Sequence, residues 1–129
     1  MRAVDKDVVW FHCGFLPLRF GFTRSEKAYY RWLKRLRIAN SDDFHLHDSA
    51  ATTHIMRQGD GQLPRTVVIV TQRLDRKNSR AQTVATLTHE AVHVWQTACE
   101  AMRQEGKAGD EVEAYAVQYF TQCMVGEIT

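Results

Sequence analysis

The sequence predicts a small α+β domain, and three observations point to it. Short apolar or alternating segments dominate the first half of the chain. Two long stretches of helical periodicity fill the second half, from Asn78 onward. Gly- and Asp-rich turn signals punctuate the strand-like segments. The resulting order is strand, helix, strands, then two helices, which suits a small, mostly antiparallel sheet packed on helices. At 129 residues the chain has the size of one domain, spanning 1–129, and can bury a core without disulfide or metal staples.

Val8 to Phe15 reads as a short buried strand that Pro17 closes. Thr23 with Glu26 three residues later is a capping-box signature behind a staple-like Phe22, and it predicts a helix to about Arg37. On that helix Tyr29, Trp32, Leu33 and Leu36 share an apolar face, while Arg24, Lys27, Arg31 and Arg35 line the other side as a solvated ridge. Phe44 to Asp48 alternates as a strand does. Ala51 to Met56 is partly β-branched, and Arg65 to Thr71 holds the run Val67-Val68-Ile69-Val70. Gly59-Asp60-Gly61 is a turn signal, so the last two strands are expected to form a hairpin. One helix should run from Asn78 or Ser79 to about Glu105, where Gly106 and Gly109 stop it. A second should run from just after Asp110 to about Met124.

Charge and composition narrow the function classes. A net charge of +2 is too small to imply a nucleic-acid or membrane partner. No stretch approaches the apolar length that spans a bilayer, and Met1 to Trp10, with Asp5 and Asp7, is not a secretory signal. The three cysteines, Cys13, Cys99 and Cys123, are odd in number and form no CxxC pair. A reducing, cytoplasmic setting is the expectation, with Cys99 and Cys123 as packing residues and His12 and Cys13 in the core.

The segment His89-Glu90-Ala91-Val92-His93 is an HExxH motif on a predicted helix. Imidazoles at i and i+4 lie on one helical face and can share one tetrahedral ion. The glutamate beside the first histidine can deprotonate a metal-activated water without being a ligand. The helical wheel agrees. Val84, Leu87, Ala91, Val92, Trp95, Ala98, Cys99 and Met102 make the apolar face, whereas His89 and His93 share the polar side with Gln96 and Glu100. On the next helix Glu111 and Glu113 point in nearly opposite directions. Glu111 sides with Gln118 and Gln122. Glu113 is flanked by Val117, Phe120 and Met124, where a carboxylate is costly unless it is paired or binds metal. Glu113 is therefore the candidate third ligand, leaving the fourth position for water. Its competing role is the N3 partner of Asp110 in a capping box.

His89-Glu-Ala-Val-His93 followed by Glu113-Ala-Tyr-Ala-Val resembles the gluzincin branch of the zincins. The Glu-Ala-Tyr-Ala segment also resembles the ImmA/IrrE-type peptidases of mobile elements and small peptidase-like proteins of phages and prophages. The resemblance covers about Gln82 to Met124. It implies a minimal zincin-like fold and a Zn2+-dependent peptidase acting on a peptide or protein substrate. It also implies Glu90 as general base, His89, His93 and Glu113 as metal ligands, and a phage or mobile-element origin. The chain departs from larger gluzincins in having almost no second subdomain.

Candidates for an oxyanion donor are His54, Tyr115 and Tyr119. Asp110 is a candidate partner that orients a ligand histidine, and Asp75 and Asp48 compete for that role. His45 and His47 form an H-x-H pair whose default is solvent exposure. A sheet edge beside the metal would suit an extended peptide. The competing functional reading is a zincin scaffold that binds a host or phage protein without catalysis. A weaker one is a nucleic-acid-binding protein with a structural zinc. Oligomeric state is left open.

Overall fold

The computed structural model describes residues 2–14, 16–39, 41–44, 49–59, 65–75, 77–102 and 110–129. After a 3₁₀ turn at Ala3–Asp5 the order is β1 (Val9–Phe11), β2 (Leu18–Thr23), α1 (Glu26–Arg35), β3 (Ala51–Gln58), β4 (Arg65–Gln72), α2 (Arg80–Ala101) and α3 (Asp110–Ile128). The four strands form one mixed sheet in the order β1-β2-β4-β3. Strands β1 and β2 pair antiparallel, β2 and β4 parallel, and β3 and β4 antiparallel. The α+β class is as expected. Among the described residues no helix is long and apolar enough to cross a membrane.

Strand β4 explains the layering. Its run Val67-Val68-Ile69-Val70 is fully buried because β4 is central and covered on both faces. Val67 and Ile69 pack with Tyr29, Leu33 and Leu36 of the α1 side. Val68 and Val70 pack with Leu87, Ala91, Trp95 and Phe120 of the α2 and α3 side. One sheet thus separates α1 from the helix pair. On the second face the Phe20 and Phe120 rings meet edge to face at 5.3 Å.

The sequence reading missed β2. Leu18, Phe20 and Phe22 do alternate onto one face, but Gly21 interrupts the pattern and Phe22 looks like a helix staple. The glycine is there for room. A Cβ at Gly21 would lie 2.7 Å from Val8 Cγ1 and 2.9 Å from the Trp10 ring. Gly21→Ala is expected to cost about 1–3 kcal/mol by overpacking, read as a lower urea midpoint.

Because Thr23 pairs with Thr71 as the last residue of β2, it is not the helix cap. Its hydroxyl lies 3.0 Å from the Asp7 carbonyl. Ser25 caps α1 instead, accepting from Ala28 N at 3.1 Å. Helix α1 ends in a left-handed Arg37, with Ile38 N donating to Leu33 O at 3.0 Å. The ridge is partly spent on pairing, since Arg24 binds Asp5 and Arg31 binds Asp7.

Ser79 caps α2 in a full capping box with Gln82. The expected hairpin is present, from Ala51↔Gln72 to Gln58↔Arg65. The expected strand from Phe44 to Asp48 falls mostly on residues 45–48, outside the described residues, as do the Asp60-Gly61 turn and the stop at Gly106 and Gly109. Phe44 itself is buried in the α1-side core and is not in a strand.

Candidate metal centre

Helix α2 runs along the β3 side of the sheet and turns His89 and His93 outward. Four residues is just over one turn, so the two rings stack one above the other. Their Nε2 atoms are 3.2 Å apart and the rings are close to perpendicular, at 76°. Two nitrogens bound to one tetrahedral zinc at about 2.0–2.1 Å would stand about 3.3–3.4 Å apart. The two imidazoles therefore fit one ion.

The tautomer of His93 is fixed by its neighbour. Gln96 Oε1 lies 3.1 Å from His93 Nδ1, and a carbonyl oxygen only accepts. The proton is on Nδ1, and Nε2 presents a lone pair to the shared position. Gln96 was visible in the sequence only as a polar-face residue. Its i+3 spacing from His93 was the available signal.

Glu90 turns inward from the same helix turn and is 6% exposed. Thr53 on β3 donates its hydroxyl to Glu90 Oε2, and Thr53 Oγ1 also lies 3.4 Å from the Glu90 main-chain carbonyl oxygen. This bond ties the helix to the strand and holds one carboxylate oxygen. Sequence reasoning missed Thr53, because pairing across elements leaves no local pattern. His89, Glu90 and His93 line a shallow cleft of about 270 Å³ together with Ser49, Thr53 and Ile55. Strand β3 forms its other wall and is an edge of the sheet.

Glu113 is exposed on the first turns of α3. Among the described residues no third His, Cys, Asp or Glu joins His89 and His93 in a group that could hold a metal. Asp110 is also exposed, as the first residue of α3. Tyr115 is 66% exposed.

Two of the sequence candidates, Tyr119 as an oxyanion donor and Asp75 as a partner for a ligand histidine, are engaged elsewhere. Tyr119 donates to the His12 carbonyl, just beyond β1, at the opposite edge of the sheet from β3. Desolvation and the adjacent Cys123 push its pKa up to about 12, so it stays protonated there. Asp75 is paired with Arg73, at 2.6 Å. His45, His47 and Asp48 lie outside the described residues.

His54 is buried on the α1 face of the sheet, with the sheet between it and α2. The alternation of β3 explains this, since Thr53 faces α2 and its neighbour must face α1. Tyr29 donates its hydroxyl to the Asp42 carbonyl at 2.7 Å, so it accepts from His54 Nδ1 at 3.2 Å. His54 Nε2 then accepts from Thr71 Oγ1 at 2.9 Å. The ring is a neutral link in a buried chain.

Burial lowers the His54 pKa to about 4 from 6.5, against a smaller raising effect of Asp42. Above the unfolded value the ring is neutral in both states and nothing is lost. As pH falls through the window between the two values, only the unfolded chain takes up the proton. Stability is expected to drop by about 3 kcal/mol across that window. Urea unfolding at a series of pH values should show that slope, and a His54→Gln variant should lack it.

Comparison of the chain with protein-family models, with curated proteins and with solved structures finds no match.

Proposed function

We propose that this chain is a zinc-dependent peptidase in which His89 and His93 hold the ion and Glu90 is the general base. The observation that carries the reading is the convergence of two Nε2 atoms, 3.2 Å apart, with the Glu90 carboxylate in one cleft. Glu113 is the proposed third ligand, on the strength of the resemblance of the Glu113-Ala-Tyr-Ala segment.

Zinc bound there would supply Lewis-acid polarisation of a carbonyl and acidification of a water. The rest falls to the chain. Gln96 keeps the His93 lone pair directed at the ion. Thr53 engages one oxygen of Glu90 and leaves the other to take a proton from the attacking water. The same carboxyl then returns that proton to the leaving amine. The outer edge of β3 offers backbone N–H and C=O groups that an extended peptide can pair with, alongside the histidines.

The test is hydrolysis of unstructured protein substrates before and after chelation. Activity should vanish with the metal and return on adding one equivalent of zinc per chain. Hydrolysis that survives complete zinc removal would contradict the proposal.

A further inference from the structure

Strand β3 ends the sheet, and no described strand pairs with its far side. Arg73 N donates to Ala50 O at 2.8 Å, one step beyond the pair Ala51↔Gln72. In an antiparallel ladder such hydrogen-bonded pairs alternate with pairs whose backbone groups turn away. Thr52, His54 and Met56 therefore bond toward β4, while Thr53, Ile55 and Arg57 send N–H and C=O groups to the open edge. The Cβ atoms of those three residues all point to the α2 face, because side chains alternate along a strand. Thr53 meets Glu90 there. Ile55 is 54% exposed and lines the cleft with His89 and His93. Such a side chain sheds its water only when another apolar group covers it. Arg57 follows and is exposed. It shares a cleft at that end of the edge with Arg37, and among the described residues no carboxylate lines this cleft or pairs with either guanidinium. The other face of the edge differs, since beside Met56 the neighbouring cleft is lined by Ser41 and Asp42.

We propose that this edge takes extended protein segments in which an acidic residue stands two positions before an apolar one. The proposal rests on the peptidase reading for what becomes of the bound segment, and it adds the register and the side chains that select it. Antiparallel addition, the stabler arrangement, sets the apolar side chain over Ile55 on the α2 face. The residue two positions N-terminal to it then lies opposite Arg57, on the same face. The residue between them lies opposite Met56 and faces Ser41 and Asp42, where a second acid is repelled. The backbone groups of Thr53, Ile55 and Arg57 supply affinity that does not depend on sequence, while Ile55 and Arg57 discriminate.

The test is fluorescence anisotropy of labelled threonine-rich peptides with the zinc-free full chain, so that nothing is cut. Each peptide has one central leucine and one aspartate, placed either two positions or one position before it. The two isomers share composition and charge. The first is expected to bind about fivefold tighter, the scale of one favourable cross-strand charge pair. Methylating the leucine nitrogen, which donates to the Ile55 carbonyl in this register, should abolish binding. Methylating the nitrogen of the next residue, which points away from β3, should leave binding unchanged. Arg57→Glu should reverse the preference, so that lysine two positions before the leucine outbinds aspartate. Ile55→Ser should erase the preference for leucine over threonine at the centre. Both side chains are exposed, so both variants should fold. Equal affinity of the two isomers, an unchanged preference in Arg57→Glu, indifference to the methyl group, or no saturable binding would overturn the inference. The zinc-loaded chain separates this proposal from the peptidase reading. Selective binding without hydrolysis upholds the register and removes only the peptidase, whereas hydrolysis without this preference in kcat/KM removes only the register.

Discussion

A Glu90→Gln variant is expected to keep its zinc and to hydrolyse peptide about 10²–10⁴-fold more slowly than the parent chain. The substitution is nearly isosteric, and the glutamine carbonyl can still accept from Thr53, so the tie between α2 and β3 survives. Glu90 is not placed as a ligand, so the metal should stay. What disappears is the group that takes the proton. A falling kcat with unchanged zinc content is therefore the signature of a base. Two other outcomes carry different meanings. An unchanged rate would remove Glu90 from the mechanism. Full zinc content in a parent chain that cleaves nothing would favour a zincin scaffold that only binds.

Zinc is expected to stabilise the parent chain and to leave a His93→Ala variant nearly unchanged. Free zinc at a hundred times its Kd adds about 2.7 kcal/mol to a protein that binds it only when folded. His93 is exposed, so its removal should cost the metal-free fold no more than about 0.5 kcal/mol. The variant keeps one imidazole on α2, and a lone histidine does not make a zinc site. Urea denaturation of both chains, with and without zinc, separates the two contributions. Equal stabilisation of both chains would place the metal elsewhere in the molecule.

Local patterns carried much of this molecule. The HExxH spacing put His89 and His93 on one exposed helix face, because the α-helical period alone decides it. The apolar face of α2 was also legible, with Leu87, Ala91, Trp95, Ala98 and Cys99 buried. Glu90 was read as the base beside the first histidine, but its burial against β3 and its contact with Thr53 could not be read from either element. Strand β2 was hidden because Gly21 weakens the strand signal, and the clash it avoids involves Val8 and Trp10 of the preceding segment. The wheel put Glu113 on the edge of a buried face. The structure leaves it exposed, because α3 buries its core side chains, Phe120 and Met124, further along the helix. His54 was misplaced for a simpler reason. The hairpin was predicted but its facing was not, and a shift of one residue exchanges the two faces of a strand.

The most direct measurement is elemental analysis of protein purified in the presence of zinc, for the parent chain and for His89→Ala, His93→Ala and Glu113→Ala. One zinc per parent chain, lost in both histidine variants, is the predicted result, and its loss in Glu113→Ala as well would add that carboxylate to the ligand set. A parent chain that takes up no zinc, or histidine variants that hold it undiminished, would contradict the metal centre and the hydrolysis built on it.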